Sequence, residues 1–406
     1  LEFVTVSGTS TLNGQTIDTA GVQTYTGAVT LVQDTTLTGT TMTFQSTVNG
    51  SAAGQQSLAI TGNLVANGAI GNTTTLEYVT VSGTSSLNGQ TVDTAGVQTY
   101  TGAVTLVQDT TLTGSTMTFD STVDGAAAGQ QSLAVVGNLV ANGAIGDTTS
   151  LEFVTVSGTS TLNGQTVDTA GVQTYTGAVT LVQDTTLTGT VMTFHSTIDG
   201  TDAGEQSLAV VGNLVANGAI GDTTSLEFVT VSGTSTLNGQ TVDTAGVQTY
   251  TGAVTLQQDT TVTGSTMTFH STVNGSAAGQ LSLAVVGNLV ANGAIGNTTS
   301  LEFVTVSGTS SLNGQTVHTA GVQTYTGAVT LVQDTTLTGT VMTFHSTIDG
   351  TDAGEQSLAV VGNLVANGAI GDTTSLEFVT VSGTSTLNGQ TVDTAGVQTY
   401  TGAVTL

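Results

Sequence analysis

Apolar and polar positions alternate along this chain in short runs, as in Phe3-Val4-Thr5-Val6, Val29-Thr30-Leu31 and Met42-Thr43-Phe44. Period-two alternation of Thr, Val, Ile, Leu, Phe and Tyr against polar residues is the pattern of strands with one face buried. Helical runs are missing. The strands are broken at short intervals, at Gly8, Asn13-Gly14, Gly21, Gly27, Gly39, Asn49-Gly50, Gly62 and Asn67-Gly68. Glycine and asparagine accept the positive φ angles that tight corners need. The pattern therefore predicts an all-β chain of short strands joined by corners.

A longer period overlies this one. Leu1-Glu2-Phe3-Val4-Thr5-Val6-Ser7-Gly8 recurs at Leu76, Leu151, Leu226, Leu301 and Leu376, at a constant spacing without insertion or deletion. This gives repeats at 1–75, 76–150, 151–225, 226–300 and 301–375, and a partial one at 376–406. The third and fifth differ only at Thr161 against Ser311 and Asp168 against His318, which points to recent duplication. Within a repeat, the stretch from Thr24 to Val29 is echoed from Thr43 to Val48. That offset, about 19 residues, is the size of one coil of a parallel β-helix. The expectation is a β-solenoid with about four coils per repeat, each rising about 4.8 Å, so roughly 19 Å per repeat and roughly 100 Å for one continuous rod. A string of β-sandwich beads is the competing architecture; it fits less well, because linkers are missing and a sandwich takes about seven strands in about 100 residues.

Composition narrows the function. The 406 residues include no lysine, arginine, cysteine, proline or tryptophan, against 27 acids and 54 glycines, for a net charge of −27. Proline's absence suits strands that pair on both edges. Without cations to neutralise phosphates, nucleic acid and anionic membranes are poor partners. Without cysteine there are neither disulfides nor thiolate metal sites. An apolar share of 37% is enough to build a core, so the chain is no disordered acidic tail. No run of about 18 apolar residues predicts a membrane span, and nothing reads as a signal peptide. Both ends fall inside patterned sequence without capping repeats, which implies a window of a longer array or ends covered by neighbouring subunits. Trypsin has no cleavage site in the chain, folded or unfolded.

The run Gln23-Thr24-Tyr25-Thr26-Gly27-Ala28-Val29-Thr30-Leu31, followed by Asp34-Thr35-Thr36-Leu37-Thr38-Gly39, Thr43-Phe44 and Ser46-Thr47-Val48, resembles repeats of giant secreted bacterial proteins of the filamentous haemagglutinin type. The resemblance covers the whole chain, since the repeat does. It implies a right-handed β-helix at the cell surface, serving as an adhesin or a fibrous layer. The secretion domain found at the start of two-partner-secreted members of that group is not recognisable here.

Candidate chemistry is sparse. His195, His270 and His345 share one repeat position, held by Gln45 and Asp120 in the first two copies, and His318 replaces an aspartate. Copies about 19 Å apart cannot share a metal, whose ligand bonds are about 2 Å. The pairs His195-Ser196, His270-Ser271 and His345-Ser346 have Asp199 or Asp349 near two of them, but adjacent strand residues point to opposite faces and do not form a triad. The acidic loop Asp199, Asp202, Glu205, repeated as Asp349, Asp352, Glu355, offers oxygen ligands of the kind Ca²⁺ prefers and is a weak calcium candidate. The first copy of that loop reads Asn49-Gly50-Ser51-Ala52-Ala53-Gly54-Gln55, without charge, so a solvated acidic corner is the plainer reading. Two positions are acidic throughout, the Glu2 and Asp34 types; their expected role is solubility and the blocking of lateral pairing. The tyrosines at Tyr25, Tyr100, Tyr175, Tyr250, Tyr325 and Tyr400 are expected to stack in the core with Phe44-type residues.

The reading is a structural repeat region of an extracellular bacterial fibre or adhesin stalk, without catalysis and without a resident cofactor, self-associating end to end or laterally and facing a host or neighbouring-cell surface. Two alternatives stay open. One is a carbohydrate-active β-helix enzyme, which would need paired carboxylates in one groove. The other is an ice- or crystal-binding threonine ladder, for which Thr5, Thr24 and Thr43 are evenly spaced and Ala59 marks the break.

Overall fold

The computed structural model describes residues 1–406. It is all-β, without a helix, its parallel strands stacked as a β-solenoid of about 20 turns. Two compact units divide it, Leu1–Ser196 and Thr197–Leu406.

In the first unit the opening coil consists of β1 (Val4–Val6), β2 (Ser10–Leu12) and β3 (Thr16–Asp18), one strand on each of three sides. The next strands are β4 (Gln23–Tyr25), β5 (Val29–Leu31), β6 (Thr35–Phe44), β7 (Val48–Gly50) and β8 (Leu58–Ala66). β1 pairs with β4, β2 with β5 and β3 with the first half of β6, all parallel. β6 and β8 each run round a corner and serve two sides, as the register shift between Thr38 and Thr41 marks. Thr24 faces Thr43 across neighbouring coils, as the sequence echo between those two stretches predicts.

Following each side across a repeat sharpens the expected coil count of about four. The next strands are β9 (Val79–Val81), β10 (Ser85–Leu87) and β11 (Thr91–Asp93), the second-repeat counterparts of β1, β2 and β3. The side that starts at β1 passes β4, β6 and β8 and reaches β10 in four steps. The side from β2 passes β5, β7 and Ile70 and reaches β11, also in four. The side from β3 passes β6 and β8 and reaches β9 in three. A repeat thus holds eleven side segments, the halves of β6 and β8 and the bridge at Ile70 counted separately, and makes 3⅔ coils, in line with the expected about four. Coil length is not uniform. The coil that carries Thr24 to Thr43 is shorter than the one that carries Thr36 to Ala59, because residues 51–57 bulge out between β7 and β8. Sequence showed the short coils and left the insertion to be averaged away.

Positions equivalent in sequence therefore turn by one side per repeat. Residues 4–6, 79–81 and 154–156 occupy three different sides of the first unit. The second unit behaves alike: the side from Val229–Val231 reaches Ser310–Leu312, and the side from Thr241–Asp243 reaches Val304–Val306.

Inward positions form the core of each unit. Leu31, Leu37, Met42, Phe44, Val48 and Ile70 are fully buried, and the same positions are buried in later repeats. Each such side chain stabilises the fold by about 1.5–3 kcal/mol relative to exposure. Tyr25 stacks on Phe44 with ring centroids 5.3 Å apart, and Tyr100 on Phe119 at 5.4 Å, as expected for the tyrosine position. One glycine fixes the corner shared by two sides. Gly137 has φ of 142°, and a β-carbon there would lie 2.0 Å from the carbonyl oxygen of Gly114 in the coil before.

Candidate functional site

The polar residues singled out from sequence are bonded between coils. At the histidine position, Gln45 Oε1 accepts from Asn67 Nδ2 at 2.9 Å, and Asp120 Oδ1 accepts from Asn142 Nδ2 at 2.9 Å. His270 Nδ1 meets Asn292 Nδ2 at 3.1 Å, and His345 Nδ1 meets Asn367 Nδ2 at 3.3 Å. Glutamine, aspartate and histidine interchange because each offers an acceptor to the amide one coil on. The ladder continues from Asn88 Nδ2 to Asn67 Oδ1 and from Asn313 Nδ2 to Asn292 Oδ1. Since each repeat turns by one side, His270 and His345 stand on different sides, not in one column.

The calcium candidates are similarly engaged. Asp199 Oδ1 accepts from the backbone N–H groups of Thr223 and Thr224 at 3.0 and 3.2 Å, and Asp349 does the same for Thr373 and Thr374. Asn49 fills that role for Thr73 and Thr74 with its amide oxygen. A side-chain oxygen is what the corner needs, and both residue types supply it. Asp202 and Asp352 donate their backbone N–H to Gln206 and Gln356, while Glu205 and Glu355 bond through the backbone to Asp202 and Asp352. No three His, Asp or Glu side chains converge to hold a metal ion.

The two acidic positions belong together. Asp34 Oδ1 accepts from Ser57 N at 3.0 Å, and the Ser57 hydroxyl reaches Glu77 Oε2 at 3.4 Å. Ser132 joins Asp109 to Glu152 in the same way, and Ser357 joins Asp334 to Glu377. Successive coils thus place these acids two steps, about 10 Å, apart. That is near the screening length of about 8 Å, not the wide separation expected from a single column. Another pair was missed: Asp147 follows Gly146, the register partner of Asp168 on the adjoining coil, and Asp222 stands in the same way to Asp243. Burial first, then the neighbouring carboxylate, raises the pKa of Asp168 and of Asp243.

Sequence also missed the glutamine beside each core tyrosine. Gln98 is fully buried; its amide donates to the carbonyls of Val92 and Thr113 at 2.9 and 2.8 Å, and its Oε1 accepts the Tyr100 hydroxyl at 3.0 Å. The signal was present, since Gln98 and Tyr100 are two apart in a strand and share a face. The threonine ladder breaks elsewhere than expected: Thr43 faces Val65, whereas Ala59 faces Thr36 and Thr80.

No family model matches this chain, and no solved structure does. Among curated proteins, outer membrane protein A of Rickettsia rickettsii is 29% identical over 408 residues, covering 95% of this chain. The chain spans 17% of that relative's length.

Proposed function

We propose that this chain is a structural section of a bacterial surface protein, a fibre or adhesin stalk at the cell surface whose stacked coils are the working element and which catalyses no reaction. The observation that carries this reading is the interchange of Asn with Asp and of Gln, Asp and His at the ladder positions. What the copies keep is a hydrogen-bond acceptor between coils, and reactivity or charge at those positions is not kept. The likeness to a rickettsial protein named as an outer membrane protein supports a surface location. It does so without singling out the filamentous haemagglutinin type. The absence of lysine and arginine argues against nucleic-acid partners, and self-association end to end or laterally is part of the same proposal.

Two measurements test the proposal. Antibodies against the repeat should label intact, unpermeabilised cells, and the label should disappear after external digestion with a protease that cuts after glutamate. Small-angle scattering of purified protein should give a maximum dimension well beyond that of a globule of equal mass. Labelling only after permeabilisation, or a compact particle, overturns it.

A further inference from the structure

Tyr78 is an exception at its repeat position, where every other copy has phenylalanine: Phe3, Phe153, Phe228, Phe303 and Phe378. The ring edges of Phe153, Phe228, Phe303 and Phe378 lie 2.4–2.5 Å from where a β-carbon on Gly171, Gly246, Gly321 and Gly396 would stand, so each ring is seated on its glycine. The Tyr78 ring keeps 3.5 Å from the same point on Gly96. Instead it lines an open cavity of about 250 Å³ whose other walls include Asp34, Thr36, Ser57, Ala59 and Thr80. Thr36, Ala59 and Thr80 are in register on three successive coils, as Thr111, Ala134 and Thr155 are one repeat on, so the placement of the Tyr78 ring is what sets this hollow apart.

We infer that this cavity is a subsite for one neutral pyranose ring. Tyr78, 39% exposed and lining the cavity, offers its ring to the apolar C–H face of a sugar, and Asp34 offers an acceptor already oriented by the Ser57 N–H bond at 3.0 Å. The hydroxyls of Thr36 and Thr80 can donate to and accept from sugar hydroxyls. The volume falls below the roughly 300 Å³ at which drug-sized pockets begin, which suits a single ring. Charge sets the selectivity: Glu77 flanks Ser57 on the side away from Asp34, and the chain has no lysine or arginine to receive a sugar carboxylate or sulfate. Uronic and sulfated rings are thus disfavoured.

The test is ligand-observed saturation-transfer NMR on the full chain with glucose, galactose, mannose, N-acetylglucosamine and, as the anionic probe, glucuronate. At least one neutral sugar should receive saturation, with a dissociation constant on the order of millimolar as befits so few atoms. Tyr78→Phe, which restores the ring found in the other repeats, and Tyr78→Ala should each weaken binding by about fivefold or more, with the circular dichroism melt unchanged. A printed glycan array separates sources: binding to terminal residues marks a surface glycan, and binding to free sugars alone marks a soluble one. Silence with every neutral sugar, preference for glucuronate, or full binding by Tyr78→Phe overturns the inference.

Discussion

The buried tyrosines couple the fold to pH. Burial pushes Tyr25 up to about 12 from its ordinary 10.0 and pushes Tyr100, Tyr175, Tyr250 and Tyr325 higher. Their folded pKa values exceed the unfolded ones, so the folded state holds protons that the unfolded state releases. Their contribution to stability is complete below pH 10.0 and is lost as pH rises above it. The melting midpoint should fall steadily from about pH 10 upward, with the tyrosinate absorbance of the five buried tyrosines appearing together with unfolding. A midpoint flat to about pH 12 would contradict this. The carboxylate pairs give the opposite handle. Repulsion by Asp147 is part of what raises Asp168, so ionisation of Asp168 costs stability that is regained when Asp168 is protonated. Asp147→Asn, which copies Asn72 and Asn297 of other repeats, should raise the midpoint slightly at neutral pH and match the parent below pH 3.8. An unchanged midpoint at neutral pH would show that the two carboxylates do not interact.

At the scale of the element, each corner joins two sides at a backbone angle that a side chain resists. Gly137→Ala should cost at least about 1–3 kcal/mol, since it adds the strain of its φ to a collision with Gly114, and hydrogen exchange should quicken first in the strands at 110–119 and 133–141. Protection unaffected in those strands would remove the corner from the stabilising features. Strand type, parallel stacking and the inward tyrosines were legible in the sequence, because period-two alternation and the echo of Thr24–Val29 in Thr43–Val48 are local signals. The coil count was legible as about four per repeat, but not its fractional part. Residues 51–57 lengthen one coil per repeat, and a spacing averaged over the whole repeat hides which coil is longer. The polar positions were legible as residues but not as partners, since Asp34 and Ser57, or His270 and Asn292, are 23 and 22 apart and meet only when the register is known.

For the whole molecule, charge of one sign governs the response to salt. With no lysine or arginine among 406 residues, the 27 acids find neither as a partner. Salt screens repulsion at distances near the Debye length, so added sodium chloride should raise the melting midpoint between about 10 and about 150 mM. A fall would mean that attraction dominates. The fractional coil count reaches further. Near-identical copies invite recombination between them, and losing or gaining a copy changes the chain by one whole repeat, which is 3⅔ coils. Within a unit, one copy more or fewer turns the equivalent strand that follows by one side. A change in copy number is thus more than a change in length, since it also changes which side of its unit an equivalent strand occupies.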